Sequence, residues 1–129
     1  MAVMQSRDNR TFIASESLAA AQFKFVELVA GGTVEIADGD ATQCVGVLLN
    51  NPANTQAATV CVEGKVMVRC GGTITAGDQL VTNISGEAVE LSTSSSATAI
   101  TMGFAYEDGV DKQIIAMELI QGGNATNQS

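Results

Sequence analysis

The sequence predicts an all-β domain of sandwich or barrel type, carrying an extended N-terminal arm. Three observations predict it. From Phe23 to Ile120 the chain is a succession of short Val-, Ile- and Leu-rich runs broken by Gly, Asn and Asp, with turn signals at regular spacing. Hydrophobic residues make up 46% of the 129-residue chain but aromatics only 4%, with no Trp. The core must therefore be built from small branched side chains, which suit closely packed sheet layers better than a deep, aromatic-lined ligand pocket. Finally, no long stretch has helical periodicity.

Residues 1–22 differ in character from the rest of the chain. They are polar, with scattered apolar residues at Met4, Phe12, Ile13 and Leu18. The stretch SESLAAAQ is read as one short helical turn capped by Ser15 or Ser17, too short to stand alone. The expected division is an arm over residues 1–22, a β-rich domain over 23–120, and a flexible tail over 121–129 (QGGNATNQS).

Within the domain the expected strands, in order, are FKFVELV, TVEIA, QCVGVLL, ATVCVE, KVMVRC, QLVTNI, EAVEL, AITMGFAY and QIIAMELI. A weak echo runs through them. AGGT at Ala30–Thr33 returns as CGGT at Cys70–Thr73, and Val45-Gly46-Val47-Leu48 returns as Met102-Gly103-Phe104-Ala105. Val60–Glu63 returns as Ile115–Glu118, and the second copy gains a hairpin turning at Ser85-Gly86. Two related half-barrels would explain this; so would chance likeness among Val- and Gly-rich strands.

The stretch VCVEGKVMVRCGG (60–72) invites a chemical reading, and side-chain phase decides against it. Val60, Val62, Val66, Val68 and Cys70 are all even-numbered, on both sides of Gly64. One long strand kinked at Gly64 keeps every one of them on the inner face. A tight hairpin at Glu63-Gly64 would mix polar and apolar residues on each face. Lys65 therefore lies mid-strand and solvated. A biotin- or lipoate-type carrier instead needs its lysine at an exposed tip.

Other chemistries fare no better. There is no His in the chain, which removes Cys–His and Ser–His–Asp nucleophile systems. Cys44, Cys61 and Cys70 lack the short pairing of zinc sites and are read as reduced thiols, with Cys44 and Cys70 as small apolar strand residues and Cys61 on the outer face beside Thr59 and Glu63. Gly71-Gly72 leads into a β-run, not into a helix N-terminus as a phosphate loop would. Asp38-Gly39-Asp40 and Glu107-Asp108-Gly109 read as turn chemistry. No catalytic, cofactor-binding or metal-ligating residue is assigned, and the chain is not read as an enzyme.

Fourteen acidic against six basic residues give a formal charge of −8, which repels nucleic-acid phosphates. No run approaches the roughly 20 apolar residues of a membrane helix. The start MAVMQSRDNR is not a signal sequence, so folding in a cytoplasm is expected.

One ordered set of motifs resembles a known family. AGGTVEIADG is followed by CVGVLLNN, then TVCVEGKVMVRCGGTITAGDQLV, and finally MGFAYED with IIAMELI, together spanning roughly residues 23–120. This order is similar to the small capsid decoration, or cement, proteins of tailed phages, with Val45-Gly46-Val47, Val60 to Gly64, Ala76-Gly77-Asp78 and Gly103 to Ala105 carrying the likeness. The resemblance implies a compact β-barrel or β-tulip-like domain, made in the host cytoplasm and bound to the outside of an expanded virion capsid. There it would contact the major capsid protein as homotrimers at three-fold or quasi-three-fold positions and stabilise the shell. It also implies an arm that adds a strand to a capsid-protein edge, with Phe12, Ile13 and Leu18 as anchors. The rival reading is a carbohydrate- or cell-surface-binding module on a virion, for which exposed aromatics are scarce.

Overall fold

The structure is a computed structural model and describes residues 8–38, 44–91 and 101–120. The flexible tail expected over 121–129 lies outside the described residues, as do Met4 and Asp40. Nine strands among the described residues carry the fold. These are β1 (Asp8–Ala14), β2 (Phe25–Val29), β3 (Thr33–Ile36), β4 (Cys44–Leu48), β5 (Ala57–Arg69), β6 (Gln79–Thr82), β7 (Ala88–Glu90), β8 (Gly103–Ala105) and β9 (Ile114–Leu119). Among the described residues there is no α-helix, and the all-β class holds.

The strands run β1-β3-β2-β4-β5-β9-β8-β6-β7, with β1 also paired to β5. That extra pairing closes β1, β3, β2, β4 and β5 into a five-stranded barrel. Beyond β5 the sheet continues through β9, β8, β6 and β7. It returns to β5 through a parallel bridge between Cys70 and Ala88, where Gly71 N–H donates to the Ala88 carbonyl at 2.7 Å. The chain thus makes two rings that share one strand. β5 is 13 residues long, the last strand of the first ring and the first strand of the second.

The two rings repeat one another bond for bond. Val26 opposite Ile36 recurs as Leu80 opposite Glu90, and Phe25 opposite Val47 as Gln79 opposite Phe104. Val47 opposite Cys61 recurs as Phe104 opposite Glu118, and Phe12 opposite Ala58 as Val68 opposite Ile115. Loop bonds follow the same rule. Leu18 N–H to Pro52 O becomes Ile74 N–H to Gly109 O, and Phe23 N–H to Leu48 O becomes Gly77 N–H to Ala105 O. Left-handed backbone recurs as well, at Phe23 and Gly77 and again at Thr55 and Lys112.

The echo does follow a repeat in topology, but each copy makes a ring of its own and not half of one barrel, and two of the sequence matches are out of frame. Val45–Leu48 does superpose on Met102–Ala105. Register equates Cys61 with Glu118, however, so Val60–Glu63 falls two residues off the expected copy. The CGGT after β5 corresponds to the chain leaving β1, because Ala14 opposite Val34 recurs as Cys70 opposite Ala88. The β6–β7 hairpin is likewise no gain: it is the counterpart of β2–β3.

The expected long strand is present. β5 runs unbroken through Gly64, at φ 112°, with Val60, Val62, Val66 and Val68 buried and Lys65 exposed. Cys61, expected on the outer face, is buried too, because the second ring packs over it. The hairpin turns at Gly86 as read.

The N-terminal segment departs from expectation. Asp8–Ala14 is not a free arm but β1, hydrogen-bonded to β3 on one side and β5 on the other. The SESLAAAQ stretch makes turns, not a helix, because Leu18 is drawn into the core and its N–H is taken by Pro52 O at 2.9 Å. Residues 8–22 thus pack with the β-rich domain instead of standing apart from it.

The interior divides in two. Ala14, Leu18, Val26, Val34, Leu48, Ala58, Val60 and Val62 fill the first ring. Cys70, Ile74, Leu80, Ala88, Ile115, Met117 and Leu119 fill the second, joined by Phe25, Ala37, Val47 and Cys61, which project from the outside of the first ring. Each aliphatic side chain so buried contributes about 1.5–3 kcal/mol, so this second cluster welds the rings together.

Candidate functional site

The three side chains expected as arm anchors do not form a site. Phe12 is half-buried against the first core, Leu18 is 1% exposed inside it, and Ile13 is exposed on β1. A residue enclosed as Leu18 is cannot reach a partner. β1 is paired with β5 along Asp8–Ile13 but with β3 only at Ile13 and Ala14, so among the described residues no strand lies along its β3-side edge before Ile13.

Cys61 and Cys70 are buried and Cys44 is half-buried against the second core. Burial pushes the Cys44 thiol up to about 12, with the Glu27 charge adding to the effect. Burial, with the charges of Asp111, Glu107 and Glu87, also raises Cys70. Cys61 is buried and its thiol donates to the Glu63 carbonyl at 3.4 Å. Among the described residues no group of three or more His, Cys, Asp or Glu could hold a metal ion.

A shallow open recess of about 300 Å³ lies beside Thr73, Thr75, Asp108, Val110 and Gln113. Its polar groups are already used within the chain. Asp108 accepts from the Ala76 N–H at 2.8 Å, and the Gln113 side-chain carbonyl accepts from the Val110 N–H at 3.0 Å. These bonds rebuild in the second ring what Asn51 and Gln56 do in the first, so the recess is a loop scaffold.

Two electrostatic features remain. Glu87, with a side chain only 6% exposed, receives Arg69 at 3.1 Å and Lys112 at 3.3 Å. Burial alone would raise its carboxyl, but hydrogen bonds from Lys112, Asn83 and Arg69 hold it below the ordinary value. This cluster ties the end of β5 and the loop before β9 to the β6–β7 hairpin, where the second ring closes. On the first ring, Glu27 and Glu35 stand directly opposite on β2 and β3. Burial pushes Glu27 up to about 7, helped by a hydrogen bond with Glu35 and by the charges of Asp38 and Glu35.

The surface with most interaction character is the outer face of β5, β9 and β8. Lys65 lies opposite Glu118, Met67 opposite Ala116, and Phe104 opposite Glu118, so these side chains share one face. Phe104 and Tyr106 meet edge to face, with ring centroids 5.3 Å apart at 69°. Lys65 Nζ lies 5.3 Å from the Tyr106 ring centroid, and the Tyr106 hydroxyl donates to Glu118 at 2.6 Å. Composition gave no hint of this face, since each of its residues reads singly as an ordinary strand or turn position.

Comparison with known proteins gives a likeness in fold. No protein-family model and no curated protein matches the sequence. The fold is similar to the crystal structure of the head fiber gp8.5 N base in bacteriophage phi29, with a TM-score of 0.69 at 16% identity. The alignment covers 98% of this chain and 100% of that one. The likeness in fold therefore extends over the whole length of both chains.

Proposed function

We propose that this chain is a structural virion protein that binds the outer surface of an expanded phage capsid and stabilises it, as trimers at three-fold or quasi-three-fold positions. The observation that carries the reading is the likeness in fold, across the whole of both chains, to the base of a phage head fiber. The motif order shared with phage decoration proteins points the same way and rests on the residues alone. The acidic, His-free composition and the absence of a metal-binding cluster among the described residues leave the surface as the functional part.

The major capsid protein is the partner in this reading, without nucleic acid, membrane or cofactor. Leu18 is enclosed in the first core and does not serve as an anchor, while the edge of β1 before Ile13 leaves strand addition through Phe12 and Ile13 open. Presented surface and loop tips, where exposed Ile84 and Val110 stand, supply further contact. Weak contacts of this kind reach useful strength through multivalency across the lattice. The carbohydrate-binding rival finds little purchase. Tyr106 alone among the five aromatic side chains is exposed, and Glu118 holds its hydroxyl.

The test is co-sedimentation of the purified chain with expanded, undecorated heads of its own phage, counting copies bound at saturation. Saturation at a number matching three-fold-related sites supports the reading. Absence of binding to expanded and unexpanded heads alike refutes it.

A further inference from the structure

The two rings are sealed differently where the tip of a hairpin meets the strand that opens the ring. In the second ring a short piece of the first lies between the β6–β7 turn and β5. Phe23 O accepts the Arg69 N–H at 2.8 Å, and the Phe25 N–H donates to Gly86 O at 2.7 Å. The Phe25 side chain is fully buried in the second core, in one cluster with Val66, Val68 and Met102. Strand register fixes the first-ring counterparts. Ile13 stands for Arg69, and Gly32, at φ 80°, for Gly86, at φ 78°.

Among the described residues no such piece lies between Gly32 and Ile13. Instead Ile13 stands directly opposite Thr33. A Cβ on Gly86 would meet Ile36, Phe25 and Lys24 at 2.8–3.4 Å, whereas one on Gly32 meets nothing within 4 Å. The interior behind this place is also less enclosed. Val68, Thr82 and Met102 are buried, but their counterparts Phe12, Leu28 and Val45 are half-buried. Arg10, in the place of buried Val66, is exposed and paired with Asp8 at 3.0 Å. With the edge of β1 that no described strand lines before Ile13, these residues make an apolar groove between β1 and the β2–β3 turn.

The second ring shows what such a groove takes. Its occupant is an extended segment that gives one carbonyl to the strand edge, one N–H to the turn glycine and one large apolar side chain to the interior. We propose that the groove between β1 and the β2–β3 turn receives an extended segment of the major capsid protein, an inference that rests on the capsid-binding reading above. A carbonyl of that segment takes the Ile13 N–H, as Phe23 O takes that of Arg69. Two residues on, an N–H donates to Gly32 O, and an aromatic or large aliphatic side chain enters between Phe12, Leu28 and Val45. Ala14 stays opposite Val34, as Cys70 stays opposite Ala88 beside Phe23–Phe25. Backbone bonds supply affinity and the single pocket supplies selectivity.

A peptide of this chain's own residues 21–27 (AQFKFVE) tests the groove without any heads. Titrated into the isotope-labelled full chain, it should shift the amide resonances of Ile13, Gly32 and Val45. The same peptide with Phe25→Ala should bind about tenfold more weakly or worse, the loss expected for an anchoring aromatic. Leu28→Glu in the full chain should weaken both peptide binding and co-sedimentation with expanded heads by a similar factor. Absence of shifts at millimolar peptide, shifts confined to another surface, or equal binding of the two peptides overturns the proposal, whether or not Leu28→Glu folds. So does a folded Leu28→Glu chain that binds heads like the wild type. A tenfold gain in peptide affinity in Val3→Asp with Met4→Asp would make the chain's own N-terminus the occupant and also overturns it. Peptide binding in the groove by a wild type that leaves heads unbound overturns the capsid protein as occupant and the capsid reading with it. Head binding without peptide binding overturns this inference alone.

Discussion

Gly46 and Gly103 occupy the same place in the two rings, each pressed against a carbonyl of the neighbouring strand. A Cβ on Gly46 would run into the Cys61 carbonyl, and one on Gly103 into the Glu118 carbonyl. Both take backbone angles that side chains rarely adopt, at φ 158° and 148°. Gly46→Ala and Gly103→Ala should each destabilise by about 3 kcal/mol, combining steric overpacking with backbone strain. Gly72→Ala, where a Cβ meets nothing within 4 Å, should change stability by no more than about 0.5 kcal/mol. Denaturant unfolding of the three variants checks the ranking. Equal effects would mean that the close approach does not hold in solution.

Leu18 and Ile13 separate an arm from a barrel strand. Leu18→Ala removes a side chain enclosed in the first core and should cost about 2–5 kcal/mol, whereas Ile13→Ala should cost under about 1 kcal/mol. Deleting residues 1–22 takes away β1 and should prevent the first ring from closing. Circular dichroism and thermal melts of the deletion read this directly. A folded 23–129 fragment with a native-like melt would restore the arm.

The two perturbed carboxylates should act on stability at opposite ends of the pH range. Glu27 is raised to about 7, so its contribution is present at acid pH and is lost as pH rises through about 7. Glu87 is lowered, so its contribution is present above its ordinary value and is lost as pH falls below it. The denaturation midpoint should therefore fall between about pH 4.5 and pH 7, and Glu27→Gln should flatten that limb. Glu87→Gln should weaken the protein at neutral pH and reduce its loss of stability in acid. A pH 4.5–7 limb unchanged in Glu27→Gln would mean that its pairing with Glu35 is not a feature of the folded state.

The three thiols should be inert in the native protein. Cys61 and Cys70 are fully buried, and burial holds the Cys44 and Cys70 thiols protonated at neutral pH. An aromatic disulfide reagent should report no fast-reacting thiol until denaturant is added, and then three. A fast native fraction would show that one of these strands opens.

Much of the fold was legible because strand alternation is local. Val60 to Cys70 could be phased across Gly64 from residue identity alone, since a one-residue slip would turn every valine outward. The turn at Gly86 and the glycines of the VGVL and MGFA strands were readable for the same reason. β1 was not. DNRTFIA shows only its last residue fully to the core, and its strand character comes from backbone bonds to β3 and β5 that no side chain announces. The SESLAAAQ helix failed because a local propensity of one turn is weak beside the burial of Leu18.

By itself, then, the sequence determined an all-β chain of short strands, the long strand through Gly64, the solvated Lys65, and the likeness in motif order to phage decoration proteins. The tertiary structure decided three things: the frame of the duplication, the closure of the first ring by β1, and the open face at Phe104 and Tyr106. The physical reason is the same in each case. Register and exposure depend on which strand lies alongside, and Val47 and Phe104 differ in accessibility because the first has a ring packed over it and the second, among the described residues, has none.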